Sequence, residues 1–255
     1  MNELFSLEGQ RALVTGGTRG IGRAISLRFA AAGSSVIANY VRDEESAREL
    51  KEYADASGYR LEICRADVTS PKGIEALLAA VDAGESHLSI LVHCAATGVH
   101  RPLSQLTLRH FDWTYALNVR AFLDLVQRMV PLMATPASIL AISSEGAGRA
   151  LPQYALVGSS KGALESMARH FAVELAPQGI RVNSLSAGTV LTDAWKVLPD
   201  GDRRLAAAAA RSPLGRLNTL EEIASAAQFL CSRAASGVVG QTLVVDGGIG
   251  IVGGR

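Results

Sequence analysis

A glycine-rich segment near the start of the sequence has the residue types and spacing of a phosphate-binding turn. Between a short apolar run and an amphipathic segment lies the sequence Thr15-Gly16-Gly17-Thr18-Arg19-Gly20-Ile21-Gly22. In a strand–turn–helix unit, Gly16 permits a tight turn, Gly20 lets the backbone approach phosphate, and Gly22 lets the helix pack closely on the strand. The free N–H groups and the positive dipole end of the helix attract an anion. The segment predicts a dinucleotide site; an ordinary glycine-rich turn is the alternative.

The end of the second apolar run indicates which dinucleotide would bind. An acidic residue at this position holds the ribose 2′-hydroxyl of NAD and repels the 2′-phosphate of NADP. The segment Ala38-Asn39-Tyr40-Val41-Arg42 contains no acid, and the first one is Asp43. Arg42 and Arg19 would pair favourably with a 2′-phosphate, although both also fit ordinary solvated arginines. The pattern therefore favours NADPH.

These residues need a sheet whose strands end on one side, and the rest of the chain supplies the pattern for it. Seven short apolar runs, rich in Val, Ile and Leu and without polar alternation, are typical of strands buried on both faces of a parallel sheet. They alternate with amphipathic segments, which predicts an α/β, doubly wound Rossmann fold with a seven-stranded, mostly parallel sheet and helices on both faces. The predicted strands are Ala12–Thr15, Val36–Tyr40, Leu61–Arg65, Ile90–His93, Ser138–Ser143, Arg181–Leu185 and Thr242–Val245. The predicted helices are Ile21–Ala32, Glu44–Ser57, Lys72–Val81, Phe111–Met133, Gln153–Ala176 and Leu220–Ser232.

Composition limits the class of protein. The chain has 255 residues, 48% of them hydrophobic, and a formal net charge of +1, so neither nucleic acid nor an acidic membrane is an expected partner. No apolar run approaches the ~18 residues that span a bilayer, and no signal peptide is recognised. The three scattered cysteines predict a reduced, cytoplasmic protein without a metal site. No linker divides the chain, so a single domain over residues 1–255 is expected.

Further motifs extend this interpretation over nearly the whole sequence. They are Asp67-Val68, Asn118-Val119, Ser143-Ser144, Lys161, Asn183, Ala187-Gly188, Thr192, Gly240-Gln241-Thr242 and Asp246-Gly247-Gly248. With the glycine-rich turn, they make the sequence resemble the short-chain dehydrogenase/reductase superfamily. The resemblance implies a Rossmann domain that binds a nicotinamide dinucleotide and assembles as a homotetramer.

The resemblance also implies which residues contact the dinucleotide. Asp67 would bond the adenine edge, Lys161 the nicotinamide ribose, and Thr192 either the carboxamide or a phosphate. Cys94 lies near the cofactor or is an inert buried thiol, and Asn118 supports the active-site helix through water or is structural. The expected set is Gly16, Thr18, Arg19, Gly20, Ile21, Asn39, Arg42, Asp67, Val68, Cys94, Ala95, Asn118, Lys161, Gly188 and Thr192.

The sequence departs from the family pattern at the catalytic tyrosine. The family motif is Tyr-x-x-x-Lys, but the residue four positions before Lys161 is Val157, which has no hydroxyl. The nearest upstream tyrosine is Tyr154, seven positions before Lys161. At ~3.6 residues per turn, offsets of four and seven return to the same helix face, so Tyr154 still faces the cofactor. Two smaller departures are His93-Cys94-Ala95-Ala96 in place of Asn-Asn-Ala-Gly, and Ala187 in place of proline.

The Tyr-x6-Lys spacing is the pattern of enoyl-acyl-carrier-protein reductases within the superfamily. The segment Gly148–Tyr154 resembles the bacterial enzymes of this kind, and other segments are similar to the NADPH-using FabL-type branch; these are Ala95–Val99, Arg101–Leu103, Asp112–Thr114 and Thr192–Ala194. The resemblance implies reduction of the double bond of a trans-2-enoyl thioester carried by acyl carrier protein or coenzyme A. Tyr154 would donate a hydrogen bond to the thioester oxygen, with Lys161 adding positive field. Ser144 contacts substrate or is a structural hydroxyl.

Two other functions remain open on the sequence. One is a 3-oxoacyl or ketone reductase of the ordinary family, against which Val157 argues. The other is a catalytically silent NADPH-binding module, suggested by Val157 and the altered His93-Cys94 segment. Residues 193–213 are expected to form a substrate lid that includes a helix over Ala206–Ala210, with Trp195 and Leu198 as candidates for an acyl channel.

Overall fold

The computed structural model describes residues 3–83, 87–191 and 201–252. Within these ranges, seven strands form one sheet: β1 Arg11–Thr15, β2 Ser35–Tyr40, β3 Leu61–Arg65, β4 Leu88–His93, β5 Met133–Ser144, β6 Ile180–Ala187 and β7 Thr242–Val245. All neighbouring strands pair in parallel in the order β3-β2-β1-β4-β5-β6-β7. The predicted doubly wound Rossmann fold is confirmed, with its change of winding direction between β1 and β4.

Helices cover both faces of this sheet. They are α1 Gly20–Ala31, α2 Glu44–Ala56, α3 Pro71–Asp82, α4 Leu108–Tyr115, α5 Ala121–Met129, α6 Ala155–Leu175, α7 Gly201–Arg211 and α8 Leu220–Cys231. Because side chains alternate along a strand, β1 sends Ala12 and Val14 into one buried cluster and Leu13 into the other. The first cluster contains residues of α1, α2 and α8, and the second contains residues of α3, α5 and α6.

The predicted helix Phe111–Met133 is three segments in the structure. Thr107 caps α4 by accepting the backbone N–H of His110, so this helix begins at Leu108, earlier than expected. A π-helical turn, Ala116–Arg120, then separates α4 from α5. Such turns occur mostly as single insertions within α-helices and frequently at functional sites, and this one contains the predicted site residue Asn118. The hydrophobic period alone does not reveal an inserted residue, because both flanking helices keep one apolar face.

Two negative findings apply to the described ranges. None of their helices is long and apolar enough to cross a membrane. No group of three His, Cys, Asp or Glu residues in them is arranged to hold a metal ion.

Candidate active site

The glycine-rich turn joins β1 to α1 at the carboxyl edge of the sheet and is too crowded for side chains. A Cβ on Gly16, whose φ is +63°, would lie 3.0 Å from the Cα of Ala95. A Cβ on Gly22 would lie 2.0 Å from the carbonyl oxygen of Gly16. The turn is therefore packed against the end of β4 on one side and against its own helix on the other, which fits the tight turn predicted at Gly16 and the close helix packing predicted at Gly22.

The beginning of α1 differs chemically from the beginnings of its neighbours. The N-cap residues of α2, α3 and α8 (Asp43, Ser70 and Thr219) each accept a backbone N–H of their own helix. At α1 the N-cap is Arg19, for which the described residues provide no side-chain cap, and the first turn contains no acid. Its N–H groups and its positive dipole end are thus left for an exogenous anion, which fits the phosphates of a dinucleotide.

The carboxylate of Asp43 acts as a helix cap. It accepts the backbone N–H of Ser46 at 3.1 Å and its hydroxyl at 2.8 Å. The backbone bond from Ser46 is the largest cause that lowers the pKa of Asp43, and the charge of Arg19 adds to it. Arg19 and Arg42 are exposed. The acid nearest the end of β2 is therefore occupied by α2, and two arginines remain available there.

The side chains of Asn39 and Asp67 differ in how far they are already bonded. Asn39 is buried, and its amide donates to the carbonyls of Ala66 at 2.8 Å and Cys64 at 3.2 Å, which ties β2 to β3. Asp67 is exposed, and one oxygen of its carboxylate accepts the backbone N–H and hydroxyl of Thr69. The second carboxylate oxygen of Asp67 can therefore still accept a hydrogen bond from a ligand, whereas the side-chain N–H groups of Asn39 already donate to backbone carbonyls.

Thr15 connects the glycine-rich turn to the segment after β4. Its hydroxyl accepts the backbone N–H groups of Cys94 and Ala95, both at 3.1 Å, and lies 3.3 Å from Nδ1 of His93. Burial, with the charge of Lys161 as a second cause, lowers the pKa of His93 to about 3, so its imidazole is neutral. Burial raises the pKa of the Cys94 thiol to about 11. Thr15 was quoted in the glycine-rich motif, but its cross-strand contact is a tertiary feature that the motif does not show.

The three predicted catalytic side chains gather at the carboxyl end of β5. Tyr154 donates a hydrogen bond from its hydroxyl to Oγ of Ser144 at 3.3 Å. Lys161 is buried and donates from Nζ to the carbonyl of Ile142 at 2.7 Å. Burial lowers the pKa of Lys161 to about 8 and raises the pKa of Tyr154. A phenol that stays protonated is suited to stabilise negative charge on a substrate oxygen by donating a hydrogen bond to it.

Tyr154 is the N-cap of α6, and three contacts fix it there. Gln153 has a φ of +60°, which interrupts the helix, so α6 begins at Ala155 rather than at Gln153 as predicted. The carbonyl of Gln153 accepts the backbone N–H of Arg101 at 3.1 Å. The ring of His100 packs edge-on against the Tyr154 ring, with 5.0 Å between centroids. A Cβ on Gly146 would lie 2.5 Å from the same ring.

Val157 forms a buried apolar surface where the family places its tyrosine. Its side chain is 7% exposed. The segment after β4 lies directly on it, because a Cβ on Gly98 would lie 2.2 Å from Cγ2 of Val157. Only the absence of a side chain at Gly98 permits this contact. The position therefore offers no hydroxyl to a substrate.

Asn118 links the π-helical turn to two other parts of the site. Its amide accepts the backbone N–H of Thr97 and donates to the carbonyl of Thr97, both at 2.9 Å. It also donates to Oγ of Ser160, on α6, at 2.9 Å. The contact with α6 is direct, which agrees with the structural interpretation of Asn118. Ser160 was not singled out from the sequence, and Thr97 was quoted only as part of the segment Ala95–Val99.

Of the remaining predicted site residues, some lie in the described ranges and others do not. Thr18 and Val68 are buried, and Ile21 and Gly188 are half-buried. Thr192, with Trp195 and Leu198 of the expected lid, lies outside the described residues. The segment that is expected to form the lid is described from Gly201, and the helix predicted in it is confirmed as α7. Around Tyr154, a cleft of about 410 Å³ is lined mostly by small residues, among them Gly146, Ala147, Gly148, Ala150 and Ala155.

A family model described as enoyl-(acyl carrier protein) reductase matches residues 16–250. The chain belongs to the short-chain dehydrogenase/reductase family. As a member of this family it is an oxidoreductase, and its departure at Val157 lies inside the matched region.

Relatives of this short-chain dehydrogenase/reductase act on different substrates. The 1-cyclohexenylcarbonyl-CoA reductase of Streptomyces collinus is 36% identical over 95% of this chain and 88% of its own length. The 7alpha-hydroxysteroid dehydrogenase of Escherichia coli is 34% identical over 95% of this chain and 94% of its own length. The first name describes a thioester and the second an alcohol, so family membership leaves the substrate open.

Solved structures of the family share the fold closely. A 7 alpha-hydroxysteroid dehydrogenase complexed with NADH and 7-oxo glycochenodeoxycholic acid has a TM-score of 0.89 and 33% identity, covering 97% of both chains. A gluconate 5-dehydrogenase from Burkholderia cenocepacia in complex with NADP and tartrate has a TM-score of 0.88 and 28% identity, covering 98% of this chain and 99% of its own. These neighbours bind NADH in one case and NADP in the other.

Proposed function

We propose that this short-chain reductase uses NADPH to reduce the carbon–carbon double bond of trans-2-enoyl thioesters. The observation that carries the proposal is the replacement of the usual tyrosine by buried Val157, with the phenol of Tyr154 brought to Ser144 instead. The matching family model and the coenzyme A thioester reductase among the relatives support it.

The cofactor assignment rests on the fit of the residues around the glycine-rich turn. The uncapped start of α1 would hold the pyrophosphate, and Arg19 and Arg42 the 2′-phosphate. Asp67 would accept from the adenine edge, and Lys161 would bind the nicotinamide ribose. When bound, NADPH would supply the hydride for the β-carbon of the substrate.

The side chains of the site match the charge that enoyl reduction creates. Negative charge develops on the thioester oxygen, which lies two bonds further from the hydride-accepting carbon than the oxygen of a ketone does. Tyr154 would donate a hydrogen bond to that oxygen, because its raised pKa keeps the phenol protonated. A donor placed for the transition state contributes about 3–4 kcal/mol, or two to three decades in rate. Lys161, held on the carbonyl of Ile142, would add a positive electrostatic field, and Ser144 would orient the phenol of Tyr154.

The same proposal includes the setting of the enzyme. The acyl group would arrive on acyl carrier protein or coenzyme A, in the cytoplasm, at a homotetramer whose chains each form one domain. Residues of about 193–213 would close over the acyl group. Neither nucleic acid nor membrane is a proposed partner.

Reduction of 3-oxoacyl thioesters or ketones is the second candidate. The hydrogen-bonded pair of Tyr154 and Ser144 favours it, because two hydroxyls at 3.3 Å would also converge on a carbonyl oxygen. The alcohol dehydrogenases among the relatives agree with this alternative. Val157 opposes it, since a ketone needs its proton donor beside the carbon that receives hydride.

Oxidation of NADPH by the wild type and by Tyr154→Phe separates these functions. The substrates are a short trans-2-enoyl coenzyme A thioester and its 3-oxo counterpart, and NADPH binding is measured for both proteins. We expect the wild type to consume the enoyl substrate and the variant to lose two or more decades of kcat with unchanged NADPH binding.

Other outcomes assign the alternatives. Turnover of the 3-oxo substrate alone would make the protein a ketoreductase. Binding of NADPH without turnover of either thioester would favour the silent binding module. The matched control is Tyr115→Phe, which removes the same hydroxyl from a tyrosine of α4 that stacks on Phe111, and it should leave the rate unchanged.

A further inference from the structure

Two adjacent residues of β5 bond to two residues one turn apart on α6. The carbonyl of Ile142 accepts Nζ of Lys161 at 2.7 Å. The hydroxyl of Ser143 donates to Oε1 of Glu165 at 2.6 Å. Ser143 and Lys161 are buried, and Glu165 is half-buried. Because residues four apart share a helix face, the carboxylate and the ammonium lie on the same side of α6.

The other groups around Lys161 carry no charge near neutral pH. From β4, His93 is neutral because its pKa is lowered to about 3. Cys94, on the same segment, raises the pKa of Lys161 only as a thiolate, and burial raises the pKa of that thiol to about 11. Ser143 on β5 and Asn118 on the π-helical turn do not titrate in this range. Among the described groups acting on Lys161, Glu165 is therefore the anion present at neutral pH.

We propose that Glu165 is a positioning residue that keeps Lys161 protonated at neutral pH, and that Ser143 holds its carboxylate in place. Burial disfavours the ammonium, and an opposite charge on the same helix face offsets part of that cost. Glu165 acts through Lys161 and does not itself contact substrate or cofactor. The inference rests on the proposed function only for the role of Lys161 in binding the nicotinamide half of the cofactor.

The test is the affinity for NADPH between pH 7 and 9.5, followed by cofactor fluorescence without any acyl substrate. A lysine with a pKa of about 8 is charged below that pH and loses its charge as the pH rises through it. We therefore expect wild-type affinity to fall above pH 8. In Glu165→Gln the fall should begin about one pH unit lower, giving at most roughly fivefold weaker binding at pH 8 and at most about twofold weaker binding at pH 7.

Three further variants make the result specific. Ser143→Ala frees the carboxylate without removing it and should give a smaller shift in the same direction. Glu165→Asp retains the charge and should restore most of the wild-type profile. Glu174→Gln removes an exposed carboxylate from the same helix and should leave the profile unchanged.

The outcomes separate this inference from the proposed function. An unshifted pH profile in Glu165→Gln, or an equal shift in Glu174→Gln, would overturn the inference. A shifted profile in a protein that leaves enoyl thioesters untouched would retain the inference and overturn the proposed function. If Glu165→Gln does not fold, the pH profiles of NADPH affinity in Ser143→Ala and Glu165→Asp provide the test. A wild-type profile in Ser143→Ala, together with loss of NADPH binding in Glu165→Asp, would overturn the inference.

Discussion

At the scale of single residues, Val157 and Gly98 form a pair in which each limits the other. The methyl group of Val157 occupies the space that a side chain at Gly98 would need. The family motif marks the position of Val157 but says nothing of its neighbour after β4. In this enzyme the segment after β4 therefore packs directly on the position where the family has its tyrosine.

This packing predicts a compensating pair of substitutions. Gly98→Ala should lower the free energy of unfolding by about 1–3 kcal/mol, because the added Cβ overlaps Val157 and φ is +156°. Val157→Ala removes the overlapping methyl group, so the double variant should be at least about 1 kcal/mol more stable than the sum of the single effects. Urea unfolding measures all three.

Gly148→Ala is the control for that experiment. A Cβ at Gly148 meets nothing within 4 Å, so this variant should unfold within about 0.5 kcal/mol of the wild type. Additive single effects at Gly98 and Val157 would contradict the described contact.

At the scale of elements, the turn between β2 and α2 assigns different tasks to two adjacent residues. Arg42 is exposed beside the proposed 2′-phosphate site, whereas Asp43 caps α2. Arg42→Ala should weaken NADPH binding about tenfold to one hundredfold, since a hydrogen bond to a charged group is worth about 1.5–3 kcal/mol, and should leave NADH binding unchanged. Calorimetric titration of both dinucleotides measures this.

Asp43→Ala provides the opposite pattern at the neighbouring position. It should reduce stability by about 1 kcal/mol through loss of the helix cap and leave both cofactor affinities unchanged. Selective loss of NADH binding in this variant would show instead that Asp43 holds a ribose hydroxyl.

The elements could be predicted where one physical signal dominated. Short apolar runs mark β3 and β7, which have the predicted bounds, although these two edge strands are only partly buried. Strand β5 begins earlier than predicted, at Met133, because its first residues are not buried and give no apolar signal. The π-helical turn and the left-handed Gln153 were missed, since tertiary contacts rather than local propensity hold them.

The site could be predicted where a motif names the residue and not where only packing does. The spacing of Tyr154 and Lys161 identified both, and the structure brings Tyr154 to Ser144. Ile142, the backbone partner of Lys161, lies on the neighbouring strand β5, and Glu165 bonds to Ser143 of the same strand; neither Ile142 nor Glu165 has a motif of its own. Pairing between β5 and α6 depends on register, which a single sequence does not state.

At the scale of the whole molecule, an apolar groove suggests how copies would associate. It has a volume of about 490 Å³ and is lined by residues of α4, the π-helical turn, α5 and α6: Asp112, Tyr115, Ala116, Val119, Arg120, Leu123 and Met167. Exposed apolar side chains, including Leu108 and Phe111, lie on the same helix α4. A contiguous apolar surface of this kind is typical of an interface between subunits.

The proposed homotetramer can be tested on this groove. Leu123 is 37% exposed, so the single chain should fold with Leu123→Glu. At an interface between subunits the same charge would be buried without a partner and would dissociate the assembly. We expect light scattering to show a tetramer for the wild type and a smaller species for the variant. Tyr53→Glu, at an exposed position on α2, away from the residues that line the groove, is the control for added charge, and a wild-type mass for Leu123→Glu would place the interface elsewhere.

The strand order also bears on how the chain folds while it is being synthesised. β1 lies between β2 and β4, and every later strand except β4 adds beside the one made just before it. The sheet therefore grows outward from its first strand, first towards β3 and then, from β4 onward, towards β7. When each strand leaves the ribosome, the strand it pairs with has already been made. The edge of β1 that pairs with β4 is the exception in sequence distance, because it stays unpaired until β2, β3 and then β4 have been synthesised. Aggregation of nascent chains should accordingly be greatest for lengths that end between β3 and β4.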